Sequence, residues 1–120
     1  MANPNLSVAS NLYGDTAAVG IGTTDNIGIV TNTSSSGEVY KINTIIVANK
    51  NGSNSSDINV SIYDGSNDIY LANLINVPPK ASQIIITKET YFYLKEGQQV
   101  RVQASTADIL DVVVGFEVMS

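Results

Sequence analysis

Residues 38–48 read EVYKINTIIVA and form the longest β-strand that the sequence predicts. Successive side chains of a strand alternate between its two faces. One predicted face carries Tyr40, Ile42, Thr44, Ile46 and Ala48, and the other carries Val39, Lys41, Asn43, Ile45 and Val47. Only the last part of the strand is apolar on both faces. We therefore expect it to begin at the rim of a sheet and to run into its middle.

The same two-residue alternation recurs along the rest of the chain. Shorter strands are predicted at residues 16–21, 27–31, 58–63, 69–77, 83–87, 91–94, 99–105 and 110–118. Turn residues separate them: Asp64-Gly65 opens a hairpin, and Pro78-Pro79 ends a strand because proline cannot donate to a ladder. No segment has a helical period. About 8–9 short strands predict an all-β fold, an antiparallel β-sandwich that is jelly-roll-like.

The first 14 residues lack a regular pattern. Their apolar or ring-bearing side chains include Pro4, Leu6, Val8, Leu12 and Tyr13. They are too sparse for a helix or a core strand, yet more apolar than a solvated tail needs. We therefore predict an extended N-terminal arm at residues 1–14 and a single β-sandwich domain at residues 15–120. We expect the arm residues to be assembly contacts with a neighbouring subunit; a frayed terminus is the alternative.

Composition excludes several functional classes. Of 120 residues, 43% are hydrophobic and only 14% are charged, so a core can form and the polar surface must come from Asn, Ser, Thr and Gln. The net charge is −5, and the six Lys and Arg residues are scattered. Binding to nucleic acid or to an anionic membrane is therefore disfavoured. The N-terminus has no basic region followed by an apolar segment, which predicts folding in a cytosol-like compartment.

The sequence predicts no catalytic, cofactor-binding or metal-binding residue, and we expect a protein that is not an enzyme. Cysteine and histidine are both absent, which removes thiolate ligands, the usual general base and the commonest metal ligand. Asp111 and Glu117 share a strand face six residues apart. At about 3.3 Å per residue their carboxylates lie roughly 20 Å apart, too far for the paired carboxylates of a glycosidase.

Three other segments have a functional interpretation beside a structural one. Residues 64–68, DGSND, could offer oxygen ligands to calcium, but an Asp-Gly pair between alternating strands is foremost a hairpin turn. Residues 49–57 could be a recognition loop or a solvated connector. Tyr91 and Tyr93 share a face and could stack on a sugar, or could pack at a sheet edge with Phe92 in the core.

Several stretches together carry a resemblance: VYKINTIIVAN at residues 39–49, VSIYDGS at 60–66, YLKEGQQVRVQAS at 93–105 and the terminal DVVVGFEVMS. Their order resembles that of small virion structural proteins of tailed phages, particularly phages of marine and cyanobacterial hosts. The likeness covers residues 38–120 and lies in strands and turns, so it implies no catalytic motif.

The resemblance implies a virion location, with assembly in the host cytoplasm. A capsid decoration (cement) protein, forming a homotrimer and binding the major capsid protein or another virion protein, is the first expectation. A neck, tail or fibre component is the second. A third expectation, of another class, is a glycan-binding β-sandwich that uses the aromatic side chains of Tyr63, Tyr70, Tyr91 and Tyr93; the absence of Trp weakens it.

Overall fold

A computed structural model describes residues 11–120, and within that range the chain forms nine β-strands and no helix. The strands are β1 (Leu12–Gly20), β2 (Ile27–Thr31), β3 (Val39–Asn49), β4 (Ser56–Tyr63), β5 (Asp68–Val77), β6 (Ser82–Ile86), β7 (Phe92–Leu94), β8 (Gln99–Ala104) and β9 (Leu110–Met119). The described part of the chain thus contains no helix that could cross a membrane. The predicted all-β class is confirmed.

The strands form two antiparallel sheets. Sheet I has the order β1-β9-β3-β6, with β7 pairing β3 beyond the end of β6. Sheet II has the order β2-β8-β4-β5. The chain passes from one sheet to the other after β1, β2, β3, β5, β7 and β8, so sequence neighbours mostly lie in opposite sheets. This is the double Greek key of a jelly roll, which confirms the predicted sandwich.

The core lies between the sheets and consists mainly of aliphatic side chains from the central strands. Its fully buried members include Ile42, Ile45, Val47, Ile58, Val60, Val100, Val102, Leu110, Val112 and Val114. Strand β9 follows the predicted alternation closely, with Asp111 and Glu117 on the outer face. Because β3 and β9 are both central and pair along their whole lengths, they hold sheet I together.

Strand β3 departs from the predicted regular alternation at one point. Ile42 and Ile45 are both 0% exposed, although an odd spacing should place them on opposite faces. The register against β9 shifts between Ile42 and Thr44, which marks a β-bulge near Asn43. Even-numbered residues therefore face the core before the bulge, and odd-numbered residues face it afterwards. The predicted face assignment is wrong for the second half of β3.

The predicted boundary of the arm at residue 14 is also wrong. Leu12 pairs with Met119 and Tyr13 with Val118, so both belong to β1 of the sandwich. The physical reason is that β9 continues to Met119 and offers backbone N–H and C=O groups. Leu12 and Tyr13 can pair with these groups whatever their side chains are. Of the predicted assembly contacts, Pro4, Leu6 and Val8 lie outside the described residues.

Candidate assembly surface

The edges of the two sheets are where this fold exposes backbone hydrogen-bonding groups. An edge strand presents a row of unpaired N–H and C=O groups that can pair with another chain. Natural proteins block such edges with short strands, bulges, prolines, lysines or inward-pointing charges. The edges of sheet I are β1 on one side and β6 with β7 on the other, and those of sheet II are β2 and β5.

Strand β1 is the longest regular edge of the described chain. It pairs with β9 without a break in register from Leu12 to Gly20. Asn11 and Ser120 exchange both of their backbone hydrogen bonds, at 3.1 and 3.0 Å. Because hydrogen-bonded pairs alternate along the ladder, the odd-numbered residues of β1 form backbone hydrogen bonds with β9. The backbone N–H and C=O groups of the even-numbered residues point outward. The outward-facing residues are Leu12, Gly14, Thr16, Ala18 and Gly20.

One side chain covers part of this edge. The carboxylate Oδ1 of Asp15 accepts a hydrogen bond from the backbone N–H of Thr16 at 2.8 Å. That N–H is one of the outward-facing donors at the middle of β1. The strand contains no lysine, proline or bulge. Among residues 11–120, Asp15 is therefore the one protecting device at the edge of β1.

The other edges are less regular. Strand β2 is short and its register with β8 shifts between Gly28 and Val30. Strand β5 is long, but its register with β4 shifts twice, and Leu74 has a positive φ of 53°. The edge formed by β6 and β7 is interrupted by residues 87–91. Of the four edges, β1 is thus the one best shaped to accept a further strand.

Exposed apolar side chains concentrate at the edges of both sheets. They include Leu12 and Tyr13 on β1, Ile69, Tyr70, Leu71, Leu74 and Ile75 on β5, and Ile84 on β6. Leu12 and Tyr13 are 65% and 52% exposed, so these two predicted assembly contacts are accessible in the separate chain. Edges that combine exposed backbone and apolar side chains fit a protein that associates.

The aromatic side chains do not form a sugar-stacking platform. Tyr91 and Tyr93 share the outer side of β7 as predicted, but their rings meet edge to face at 84°, and Lys41 Nζ lies 4.3 Å from the Tyr91 ring centre. Tyr63 and Tyr70 belong to sheet II, and the Arg101 guanidinium lies 3.5 Å over the Tyr63 ring. Tyr91 and Tyr93 therefore lie together at sheet I, and Tyr63 and Tyr70 lie on sheet II, so the four tyrosines do not share one surface.

Another aromatic pair lies near the start of β3. The rings of Tyr40 and Phe116 are stacked, with centres 5.4 Å apart. Burial and the nearby carboxylate of Glu38 raise the pKa of Tyr40 above its ordinary value of 10.0. The Tyr40 side chain is thus neutral at physiological pH and serves packing.

The segment at residues 64–68 forms the β4–β5 hairpin turn, as predicted. Asp64 Oδ1 accepts hydrogen bonds from the backbone N–H groups of Ser66 and Asn67, at 2.9 and 2.8 Å. These bonds lower the pKa of the Asp64 carboxyl. Within residues 11–120 no group of three or more His, Cys, Asp or Glu side chains is placed to hold a metal ion.

The loop after β3 is held by the side chains of its own asparagines. Asn49 is buried and donates hydrogen bonds to the carbonyls of Asn54 and Val77, both at 2.9 Å. Asn51 Oδ1 accepts hydrogen bonds from the N–H groups of Ser53 and Asn54. These hydrogen bonds fix the conformation of residues 49–54, as in a structured connector between two strands.

The two carboxylates of β9 are committed to structural contacts. Asp111 forms an ion pair with Lys50 at 2.9 Å. Glu117 accepts a hydrogen bond from the side-chain amide of Asn43 at 2.8 Å, beside the bulge of β3. Each carboxylate therefore stabilises the outer side of sheet I.

A cleft on the outer face of sheet II was not predicted from the sequence. It has a volume of about 280 Å³ and is lined by Thr24, Asp57, Asn59, Leu74, Gln103, Ala104 and Ser105. Asn59 Oδ1 accepts a hydrogen bond from the N–H of Leu74 at 2.6 Å and holds that residue in its strained conformation. Strand alternation places Asn59 and Gln103 on the outer face of sheet II. The position of Leu74 depends on its positive φ and on the register shifts of β5, which the sequence does not indicate.

No protein-family model and no curated protein sequence matches this chain. Among solved structures, a subunit of Bacillus endospore appendages, described as a novel family of disulfide-linked pili, is similar over 99% of this chain and 95% of that chain, with 11% identity and a TM-score of 0.51. This similarity supports the β-sandwich fold. The present chain has no cysteine, so it cannot form disulfide links.

Two further structures align with lower scores. A 3,4-ketoisomerase from Helicobacter canadensis has a TM-score of 0.33 at 11% identity, over 88% of this chain and 59% of that chain. A xylan-binding domain from Paenibacillus barcinonensis has a TM-score of 0.34 at 12% identity, over 93% and 83% of the two chains. At these scores neither alignment bears on function.

Proposed function

We propose that this protein is a non-enzymatic structural protein that assembles with copies of itself, and that it serves as a capsid decoration protein of a phage. The regular, weakly protected edge of β1 supports assembly. The resemblance of residues 38–120 to small virion proteins supports the location. The neutral polar surface, with 14% charged residues, fits a protein that packs against repeated neighbours.

A decoration protein stabilises a shell by bridging neighbouring capsomers, so that outward pressure is shared between them. Each single contact can be weak because the binding sites repeat around the shell and the contacts act together. In the proposed arrangement, residues of the N-terminal segment and the exposed Leu12 and Tyr13 contact a neighbouring subunit or the shell. A homotrimer at a symmetry axis would present three such segments.

A reconstruction of the virion, combined with quantitative mass spectrometry, tests this proposal. Copies of the chain on the shell lattice, in the hundreds per particle, are the expected result. Tens of copies or fewer, located at one vertex, would assign the chain to the neck, tail or fibre instead. Absence from purified particles would contradict a virion function altogether.

A glycan-binding role is a second candidate, and the cleft on sheet II is the observation that favours it. The cleft combines the amides of Asn59 and Gln103 and the carboxylate of Asp57 with the apolar wall of Leu74. These groups could bind the hydroxyls and one apolar face of a sugar. A glycan array, with Gln103→Ala as the variant, tests this role. Binding that persists unchanged after Gln103→Ala, or no binding to any glycan, would exclude the cleft.

A further inference from the structure

We propose that two copies of this chain associate head to tail, with the β1 edge of one copy paired to the β6–β7 edge of the next. Sheet I then continues from one copy into its neighbour. The inference rests on the proposed function, because it names the surface through which a self-assembling protein would assemble.

The strand directions of sheet I permit this pairing. Every neighbouring pair in the order β1-β9-β3-β6 is antiparallel. β1 therefore runs in the same direction as β3, and opposite to β6 and β7. When a second copy is placed beside the first in the same orientation, its β1 runs antiparallel to the β6 that it meets. The extended sheet then keeps the antiparallel pattern throughout.

The positions of charged residues favour this pairing over a symmetric one. In the register of sheet I, Asp15 pairs with Phe116 and Phe116 pairs with Ile42. Ile42 in turn pairs with Phe92 at the start of β7. Lys88 lies in the turn between β6 and β7, four positions before Phe92, and is exposed, as is the adjacent Glu89. Head-to-tail pairing thus brings Asp15 of one copy towards Lys88 of the next. Pairing β1 with β1 would instead bring two Asp15 carboxylates towards each other.

Asp15 also explains how such an edge stays unpaired in a separate chain. Its carboxylate occupies the outward N–H of Thr16 at 2.8 Å. When Lys88 of the neighbouring copy approaches, the carboxylate turns to the ammonium group. The Thr16 N–H then donates to a carbonyl of the partner strand. The residues on either side in the outward row are Gly14, which has no side chain, and Ala18, whose side chain is one methyl group, so both permit a close backbone approach.

The β5 edge is a poorer acceptor for the same strand. Its two register shifts and the positive φ of Leu74 interrupt the straight row of backbone groups that a regular nine-residue strand needs. Strand β2 covers only five residues and is itself bulged. Strand β6 also covers five residues and shifts its register against β3, but β7 continues the same edge, and the turn between the two strands carries Lys88, which can pair with Asp15.

A proline scan of β1 tests the edge directly. Ala18→Pro removes an N–H that faces outward, so the bonds to β9 remain and the melting temperature should stay within a few degrees of the parent's. Self-association, measured by sedimentation equilibrium, should be lost. Ala17→Pro is the matched control: it removes an N–H that bonds to β9 and should lower the melting temperature markedly.

Charge exchange tests the register. Asp15→Lys and Lys88→Asp should each weaken self-association by about fivefold to tenfold, and the double variant should restore most of the loss. Asp25→Lys makes a comparable charge change at an exposed position outside both edges and should have little effect. Restoration in the double variant is the result that a general charge effect would not give.

The outcomes separate this inference from the proposed function. A parent protein that self-associates equally well after Ala18→Pro and both charge reversals would overturn the edge pairing and leave a self-assembling protein. A parent that remains monomeric up to millimolar concentration yet decorates particles would overturn the pairing and retain the virion role. A parent that neither associates nor occurs on particles would overturn both.

Discussion

At the scale of single residues, two buried asparagines hold the loops of the sandwich. Asn32 is 0% exposed and donates from its side-chain amide to the carbonyls of Glu38 and Leu94, at 2.9 and 3.0 Å. Asn49 is 4% exposed and binds two carbonyls at the other end of β3. The sequence predicts only that asparagines occur near turns. Their partners are up to 62 positions away, so these roles could not be found from local pattern.

Replacing Asn32 by Asp tests this role. The change keeps the shape but removes the amide donor, and it places a carboxylate against two carbonyl oxygens. We expect the free energy of unfolding to fall by roughly 3–5 kcal/mol, because buried acceptors lose their donor and a charge is buried beside them. Urea denaturation at neutral pH provides the measurement. Asn73→Asp, on the exposed side of β5, is the matched control and should change stability by less than about 0.5 kcal/mol.

At the scale of the strand, the sequence predicts where strands occur better than which way their side chains face. The nine predicted strands correspond to those observed, since turn residues separate them clearly. The faces of β3 are predicted incorrectly in part, because the strand contains a bulge that reverses the alternation. In β3 the bulge lies opposite Gly115 on one side and the break between β6 and β7 on the other. Gly115 and the break between β6 and β7 make room for the bulge but belong to other parts of the chain. The sequence of β3 itself therefore does not indicate the bulge.

Gly115 provides a test of the packing at this bulge. A Cβ atom added at Gly115 would lie 3.0 Å from Cγ2 of Thr44. Gly115→Ala should therefore lower the free energy of unfolding by about 1–2 kcal/mol through overpacking. Thr44→Ser removes that methyl group and keeps the hydroxyl that donates to the Ile86 carbonyl, so it should recover most of the loss in the double variant.

Gly14→Ala is the control for Gly115→Ala, because the nearest atom to its added Cβ is 4.0 Å away. It should leave stability nearly unchanged. A double variant no more stable than Gly115→Ala alone would show that the loss does not come from contact with the Thr44 methyl group.

At the scale of the whole molecule, the fold follows from the sequence and the assembly surface does so only in part. Short alternating strands and clear turns are enough to predict a jelly-roll-like sandwich. The same architecture serves many functions, so it does not select one. Leu12 and Tyr13 were predicted as assembly contacts, but the outward row of β1 and the cover provided by Asp15 depend on pairing with β9. That pairing joins residues about a hundred positions apart and becomes visible only in three dimensions.

The N-terminal segment supplies the last test, which compares two truncations. Deleting residues 2–13 removes Asn11 and Tyr13, whose pairs with Ser120 and Val118 belong to the sandwich. It should lower the free energy of unfolding by about 1–2 kcal/mol and the melting temperature by roughly 4–8 °C. Deleting residues 2–10 leaves β1 complete, and we expect the melting temperature of that variant to stay close to that of the full chain.

Both truncations should reduce self-association or occupancy on particles, because both remove Leu6 and Val8. Ordering such a segment costs roughly 1–2 kcal/mol per residue in backbone entropy, and burying an apolar side chain returns roughly 1.5–3 kcal/mol. For a sparse apolar segment the entropic cost exceeds this return, so binding of the segment should depend on repeated sites and on added backbone hydrogen bonds. Thermal melting and sedimentation measured on the same samples decide the matter. If deleting residues 2–10 destabilises the domain as much as deleting residues 2–13, the segment belongs to the sandwich rather than to assembly.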